Sequence, residues 1–175
     1  VSVIVVSRAR PDALRRCLLG IAQLQYDPFE VVVVACGEGM KVAEGAGILP
    51  DIKWIAFDEA NISAARNLGL VHAAGEIVAF IDDDAVPEPQ WLRHLVAPAA
   101  QNDVAAMGGY VRGRNGISFQ YKARSLDAQG LPQDLDIDPL QATVLTPPEG
   151  RAIKTEGTNM AFRRDVLIEM DGFDP

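Results

Sequence analysis

The residues best suited to chemistry are three consecutive carboxylates, Asp82-Asp83-Asp84, placed directly after the apolar run Ile77-Val78-Ala79-Phe80-Ile81. Such a run reads as a buried strand, and in open α/β sheets ligands bind beyond the carboxyl ends of the strands. Adjacent carboxylates repel one another, which raises their pKa values unless a cation is near. Mg²⁺ and Mn²⁺ are hard ions that take oxygen ligands and leave positions open for substrate phosphates. In an extended segment Asp82 and Asp84 lie on one side, so one can hold the ion and the other a sugar hydroxyl or one of the ion's waters. The bland alternative is a solvated acidic turn in which Asp84 helps to begin the next helix.

The elements that must position these groups alternate. Val1 to Val6 is a short β-branched run, consistent with a strand buried on both faces. Pro11 opens a helix, where its missing N–H costs nothing, and Leu14, Cys17, Leu18, Ile21 and Leu24 make one apolar stripe. Val31 to Val34 is a second strand, broken by Gly37 and Gly39, and Ile52 to Phe57 is a third. Asn61 can cap a helix that runs to about Ala74, where Gly75 stops it, and Glu76 to Ile81 is a fourth strand. Trp91, Leu92, Leu95 and Val96 suggest a helix after Pro87-Glu88-Pro89. Strands alternating with helices predict an α/β domain with a mainly parallel sheet. Ala105 to Val111 reads as a fifth strand, and residues 116–150 show no sustained period. Order returns at Ala152-Ile153-Lys154 and Asn159 to Phe162, with a last helix from about Arg164 to Met170.

The 175 residues suffice for one sizeable core, and 49% hydrophobic with 23% charged residues is an ordinary globular composition. A net charge of −8 argues against nucleic acid as a partner. A phosphorylated small molecule would need a local cation. The two cysteines, Cys17 and Cys36, show no CxxC spacing, and His72 and His94 stand apart, so no His/Cys zinc cluster can be assembled. No apolar run reaches the roughly 20 residues of a membrane span. The chain reads as an excised piece, because it starts inside a strand-like run and stops at the turn-like Gly172-Phe173-Asp174-Pro175.

The stretch Asn61-Ile62-Ser63-Ala64-Ala65-Arg66-Asn67-Leu68-Gly69, followed by Gly75-Glu76 and Phe80-Ile81-Asp82-Asp83-Asp84, resembles family 2 glycosyltransferases of the GT-A fold. In that family an Ala-Arg-Asn-x-Gly helix precedes a strand ending in a metal-binding Asp-x-Asp motif. Gly157-Thr158-Asn159-Met160-Ala161-Phe162-Arg163-Arg164, closing with Gly172-Phe173-Asp174, is similar to the family's acceptor-side signature. The resemblance implies one Rossmann-like α/β/α sandwich over residues 1–175, cut short at its C-terminal end. Residues 1–112 would bind the nucleotide sugar and residues 113–175 would form the acceptor side. It implies Mn²⁺ or Mg²⁺ on Asp84 with Asp82 beside it, and a donor site of Ser7, Arg66, Asp82, Asp83 and Asp84. Ser7 would touch the base, Arg66 would lie near the donor, and Gly157 and Asn159 would shape the floor under the sugar. The implied reaction is transfer of a sugar, with inversion, from a nucleoside-diphosphate sugar to a hydroxyl of a carbohydrate or lipid-linked acceptor. The implied setting is cytoplasmic, with peripheral contact at the inner face of the membrane through segments outside this chain.

Two departures stand beside the likeness. Where the family has Asp-Asp-Gly-Ser after the second strand, this chain has Ala35-Cys36-Gly37-Glu38; and Ser7-Arg8-Ala9-Arg10 replaces a Thr-Tyr-Asn-Arg type of sequence. An inverting transfer also needs a general base, which the family carries beyond the position where this chain stops. Asp171 and Asp174 match the preceding turn and are not assigned to that role. The alternative is a non-catalytic nucleotide-sugar-binding or scaffold domain of the same fold.

Overall fold

The computed structural model describes residues 1–37, 40, 47–100, 104–120, 123–138, 143, 145 and 147–175. Its centre is a six-stranded mixed sheet of order β3-β2-β1-β4-β9-β5. The strands are β1 (Ser2–Ser7), β2 (Glu30–Ala35), β3 (Ile52–Ala56), β4 (Ile77–Asp82), β5 (Ala106–Gly108) and β9 (Met160–Arg163). The first four pair in parallel, whereas β9 runs antiparallel to both β4 and β5. Among the described residues four α-helices flank the sheet: α1 (Pro11–Ile21), α2 (Ile62–His72), α3 (Trp91–Val96) and α4 (Arg164–Glu169).

The strands' period of two divides the core between the two faces. Val3, Val5, Val31, Val33 and Ile81 meet Leu14, Cys17, Leu18 and Ile21 of α1 and Leu92 and Leu95 of α3. Ile4, Val32, Val34, Val78 and Phe80 meet Ala65 and Leu70 of α2 and Leu167 of α4. The alternation's α/β domain with a mainly parallel sheet is thus realised, with helices on both faces as in the α/β/α sandwich that the resemblance implied. Pro11 stands at the start of α1, and the Asn61 side chain accepts the Ala64 N–H at 3.0 Å, capping α2.

Two expectations need correcting. The fifth strand is limited to Ala106–Gly108, because the backbone leaves β9 after Gly109 N–H bonds the Asn159 carbonyl. Residues 116–150 are not all irregular. A small antiparallel sheet of order β7-β6-β8 is built from β6 (Arg124–Asp127), β7 (Pro132–Asp134) and β8 (Arg151–Lys154). β8 coincides with the order expected at Ala152-Ile153-Lys154, whereas β6 and β7 are short and polar, so the usual alternation does not announce them. Gly39 and Glu38 lie outside the described residues.

The amino ends of the parallel strands are tied together by Glu30. Its Oε1 accepts the Ser2 hydroxyl at 2.5 Å and the Ala74 N–H at 2.6 Å, and its Oε2 pairs with Lys53 Nζ at 2.7 Å. The Ser2 Oγ in turn accepts the Gly75 N–H at 2.8 Å. Burial pushes the Glu30 carboxyl up, but the Lys53, Ser2 and Ala74 bonds outweigh it and hold the pKa at about 2, below the ordinary 4.5. A carboxyl depressed in this way stabilises the fold above its unfolded pKa and loses that contribution as pH falls from about 4.5 toward about 2. With Lys53 half-exposed, Glu30→Gln is expected to cost about 1–2 kcal/mol at pH 7. Urea unfolding across pH should show the gap between the two proteins closing below pH ~4; a constant gap would locate the effect in packing instead.

Candidate functional site

The order of the sheet reverses between β1 and β4: β2 and β3 lie on one side of β1, and β4 returns on the other. At such a switch point the carboxyl ends of neighbouring strands open a crevice for ligand. Val6 lies opposite Asp82 in the register, so the end of β1 and the acidic cluster share that crevice.

Only Asp82 belongs to β4. The backbone then turns, with the Ala85 N–H bonding the Asp82 carbonyl at 3.1 Å, so the extended alternation expected for Asp82 and Asp84 does not apply. The turn still separates the three acids. Asp83 is 0% exposed, whereas the Asp82 and Asp84 side chains are 38% and 53% exposed. Asp82 and Asp84 therefore face solvent and Asp83 is the structural member.

Asp83 is held from two sides. Its Oδ2 accepts the Ser7 hydroxyl at 2.6 Å. Its Oδ1 lies 2.5 Å from Nη2 of Arg10, an ion pair whose angle falls short of a directed hydrogen bond. Burial raises the Asp83 pKa above the ordinary carboxylate value; the Ser7 bond and the Arg10 charge oppose the rise, and Asp84 and Asp82 add to it. The same guanidinium reaches Asp84 Oδ2 through Nη1 at 3.0 Å. Cys17, packed beneath, has its thiol pushed up to about 12 by burial and by the three aspartates, so it serves as a small apolar core residue.

A second cation comes from α2. Arg66 Nη2 lies 3.4 Å from Asp82 Oδ1 and donates to the Gly157 carbonyl at 3.2 Å, while the guanidinium lies over the Phe173 ring at 5.7 Å. A Cβ at Gly157 would come within 2.8 Å of that guanidinium, so glycine makes room for Arg66. The neighbouring Asn67 donates from Nδ2 to the Phe173 carbonyl and accepts the Phe173 N–H at Oδ1, both at 2.8 Å. Phe173 packs edge-on against Phe80 of β4. The helix motif, the strand motif and the Gly-Phe-Asp turn thus meet in one cluster.

Asn159 holds a different junction. Its Oδ1 accepts the Trp91 indole N–H at 2.8 Å and its Nδ2 donates to the Tyr110 carbonyl at 3.0 Å, which fastens α3 and the segment after β5 to β9. The structure therefore brings Ser7, Arg66, Gly157, Asp82, Asp83 and Asp84 into one connected set, with Asn159 bonded into the neighbouring wall. Sequence reasoning gave no role to Arg10 or Asn67. Arg10 was visible only as a basic residue after the first strand, and Asn67 only as part of the Ala-Arg-Asn-x-Gly helix, with no partner indicated for either.

The donor set suits a hard divalent cation. Asp82 and Asp84 present exposed carboxylate oxygens at the strand end, and a cationic group, the Arg10 guanidinium, already lies against Asp83 and Asp84. Among the described residues no three His, Cys, Asp or Glu side chains converge as a complete cage. Mg²⁺-like sites use one or two carboxylates and take further oxygens from phosphates and water, so a pair of carboxylates is a sufficient protein share for such an ion. Among the described residues no helix is long and apolar enough to cross a membrane.

Comparison with known proteins gives consistent likenesses. The family model described as "Glycosyl transferase family 2" matches residues 2–170. The chain is 30% identical over 188 residues to the glucosyl-dolichyl phosphate glucuronosyltransferase of Haloferax volcanii, covering 99% of this chain and 56% of that protein. The mannosyltransferase PcManGT of Pyrobaculum calidifontis, solved in complex with GDP-Man and Mn²⁺, superposes with a TM-score of 0.68 at 24% identity, over 99% of this chain and 47% of that one. TarS 1–349 of S. aureus, solved in complex with UDP-GlcNAc, superposes with a TM-score of 0.67 at 19% identity, over 99% of this chain and 48% of that one. These structural likenesses show the GT-A fold. The chain spans about half the length of the proteins it matches.

Arg66 reaches the site because α2 lies close to the sheet. A Cβ at Gly69 would come within 2.6 Å of Ile4 Cγ2 and 3.3 Å of Val34 Cγ2. Overpacking of about 1–3 kcal/mol outweighs the roughly 1 kcal/mol that alanine gains in a helix. Gly69→Ala should lower Tm by about 2–6 °C in a thermal melt. A rise in Tm would show that the helix can move off the sheet without cost.

Proposed function

The chain belongs to glycosyl transferase family 2, and on that premise we propose that it moves a sugar from a nucleoside-diphosphate sugar to a hydroxyl acceptor with inversion, using Mn²⁺ or Mg²⁺ held by Asp84 and Asp82. The observation that carries this reading is the pair of exposed carboxylates, Asp82 and Asp84, at the switch point of the sheet, backed by the buried Asp83. When bound there, the divalent ion would neutralise charge on the departing diphosphate.

The chain's own residues divide the remaining work. Asp83, Ser7 and Arg10 form a fixed base under the two outer carboxylates. Ser7 bounds the nucleotide end of the crevice at the end of β1. Arg66 has a long contact to Asp82 and a neutral bond to Gly157, so much of its charge is available to a donor phosphate. Gly157 shapes the floor under the sugar by admitting Arg66, and Asn159 does so by holding the wall built from Trp91 and Tyr110. Residues 1–112 form the donor side and 113–175 the acceptor side. No residue of this chain is assigned as general base.

Support for the donor class comes from the structural neighbours, which were solved with GDP-Man and with UDP-GlcNAc. A polyprenyl-phosphate-linked acceptor is supported by the name of the Haloferax relative, a glucosyl-dolichyl phosphate glucuronosyltransferase. With such an acceptor the protein would work at the inner face of the membrane through peripheral contact.

Calorimetric titration of UDP, GDP and dTDP, with and without Mn²⁺, tests the reading. Binding should require the ion, and Asp84→Ala should weaken it by about tenfold or more, the worth of a charged contact of roughly 1.5–3 kcal/mol. A folded protein that binds no nucleotide under any of these conditions would favour a scaffold role. The replacement of the usual acids by Ala35 and Cys36 is the observation on that side.

A further inference from the structure

Arg10 closes the Ser7-Arg8-Ala9-Arg10 segment that departs from the family pattern, and it pairs with two of the three clustered aspartates. Its backbone is fixed at the mouth of α1, where its carbonyl accepts the Leu14 N–H at 3.0 Å. The preceding Ala9 adopts a left-handed conformation with φ of 53°, an unfavourable one for a residue with a Cβ. The Ala9 N–H is bonded to Cys36 Sγ at 3.2 Å. This turn sends Arg10 back over the end of β4, where one guanidinium meets Asp83 at 2.5 Å and Asp84 at 3.0 Å.

The two arms of that fork are unequally anchored. Asp83 is fully buried and its other oxygen is held by Ser7, so losing its counter-ion would leave an uncompensated charge in the interior. Asp84 is half-exposed, as is Arg10, and exposed pairs exchange at little cost. The contact to Asp83 is therefore the costlier of the two to break, and the contact to Asp84 the cheaper to exchange.

We propose that Arg10 is the positioning residue of the metal and diphosphate site: it pairs with Asp84, yields that carboxylate to a divalent cation, and stays anchored on Asp83 with one guanidinium edge released for the diphosphate. This inference rests on the donor-site reading above. It makes Arg10 a competitor of the free cation and a partner of the nucleotide, two effects of opposite sign. A residue that merely supports the fold would weaken both ligands together.

The test is a Mn²⁺ titration followed by EPR on wild-type protein, Arg10→Met and Arg10→Lys, with GDP and UDP titrated by calorimetry at saturating Mn²⁺. Circular dichroism establishes that each variant is folded. Arg10→Met should bind free Mn²⁺ about fivefold more tightly, the equivalent of one exposed ion pair, and should bind the preferred nucleotide about tenfold more weakly. Arg10→Lys keeps the charge but cannot span two carboxylates, so it should tighten Mn²⁺ as the methionine variant does while retaining most of the nucleotide affinity. It also keeps a counter-ion for Asp83, which secures a folded variant if Arg10→Met does not fold. Unchanged or weaker Mn²⁺ binding in the folded variants, with wild-type protein still binding nucleotide through Mn²⁺, overturns the role of Arg10 and leaves the donor site standing. Wild-type protein that binds no nucleotide with Mn²⁺ overturns both.

Discussion

Three carboxylates on consecutive residues are the constraint to which the rest of the structure answers. Two like charges 4 Å apart repel by about 4 kcal/mol at an effective dielectric constant near 20, so crowding three carboxylates at the end of β4 carries a cost that the fold must offset. The protein separates them, turning the backbone after Asp82 so that one acid goes inward and two face out. It then brings cations from two different elements, Arg10 from the mouth of α1 and Arg66 from α2. Each cation carries its own structural requirement. Arg10 needs the left-handed turn at Ala9, and Arg66 needs Gly69 so that its helix can approach the sheet, and Gly157 so that its head has space.

These demands can be met only if the strands keep their register. A slip of one residue would exchange the inward and outward sets of every strand, moving Asp82 off its place opposite Val6. The Glu30 clasp stands at the opposite end of the sheet, where it joins the starts of β1 and β2, the side chain of Lys53 on β3 and the turn before β4. The two ends are thus complementary. One uses an acid with ample partners to lock the strands, and the other presents acids with partners that can be exchanged.

How much of this was legible in the sequence follows from the range over which each signal acts. The long apolar runs and their spacing predicted β1 to β4, α1, α2 and a mainly parallel sheet, because burial on both faces leaves continuous β-branched segments; the sandwich was implied by the family resemblance. The Asn61 cap and the Pro11 start were readable because capping chemistry is local. The order of three motifs pointed to the family, and the match over residues 2–170 bears that out. Of the small sheet, β8 falls where order was expected at Ala152-Ile153-Lys154, but β6 and β7 were missed because strands such as Pro132–Asp134, wholly exposed, have no apolar face to advertise. The extended geometry expected of Asp82 and Asp84 failed because a turn closed by one backbone bond carries no distinctive residue signal. Arg10 and Asn67 were missed for another reason. Their partners lie 74 and 106 residues away, and nothing in a local window shows that Arg10 will meet Asp84 or that Asn67 will clasp Phe173.

The balance of charge at the crevice suggests why donor and cation should enter together. With its carboxylates ionised, the cluster sets three negative charges against the two guanidinium groups of Arg10 and Arg66, which leaves one net negative charge facing the opening. The whole chain adds to that field with a net charge of −8. A bare nucleoside diphosphate would therefore meet repulsion at the mouth of the crevice. A divalent cation held by Asp82 and Asp84 would invert the local sign, and on the proposed reading Arg10 would then release Asp84 and turn one guanidinium edge toward the diphosphate. Departure of the diphosphate with its cation would return Arg10 to Asp84 and restore the starting charge. The same arginine would then accompany the site through both states, with the buried Asp83 as its fixed hinge point.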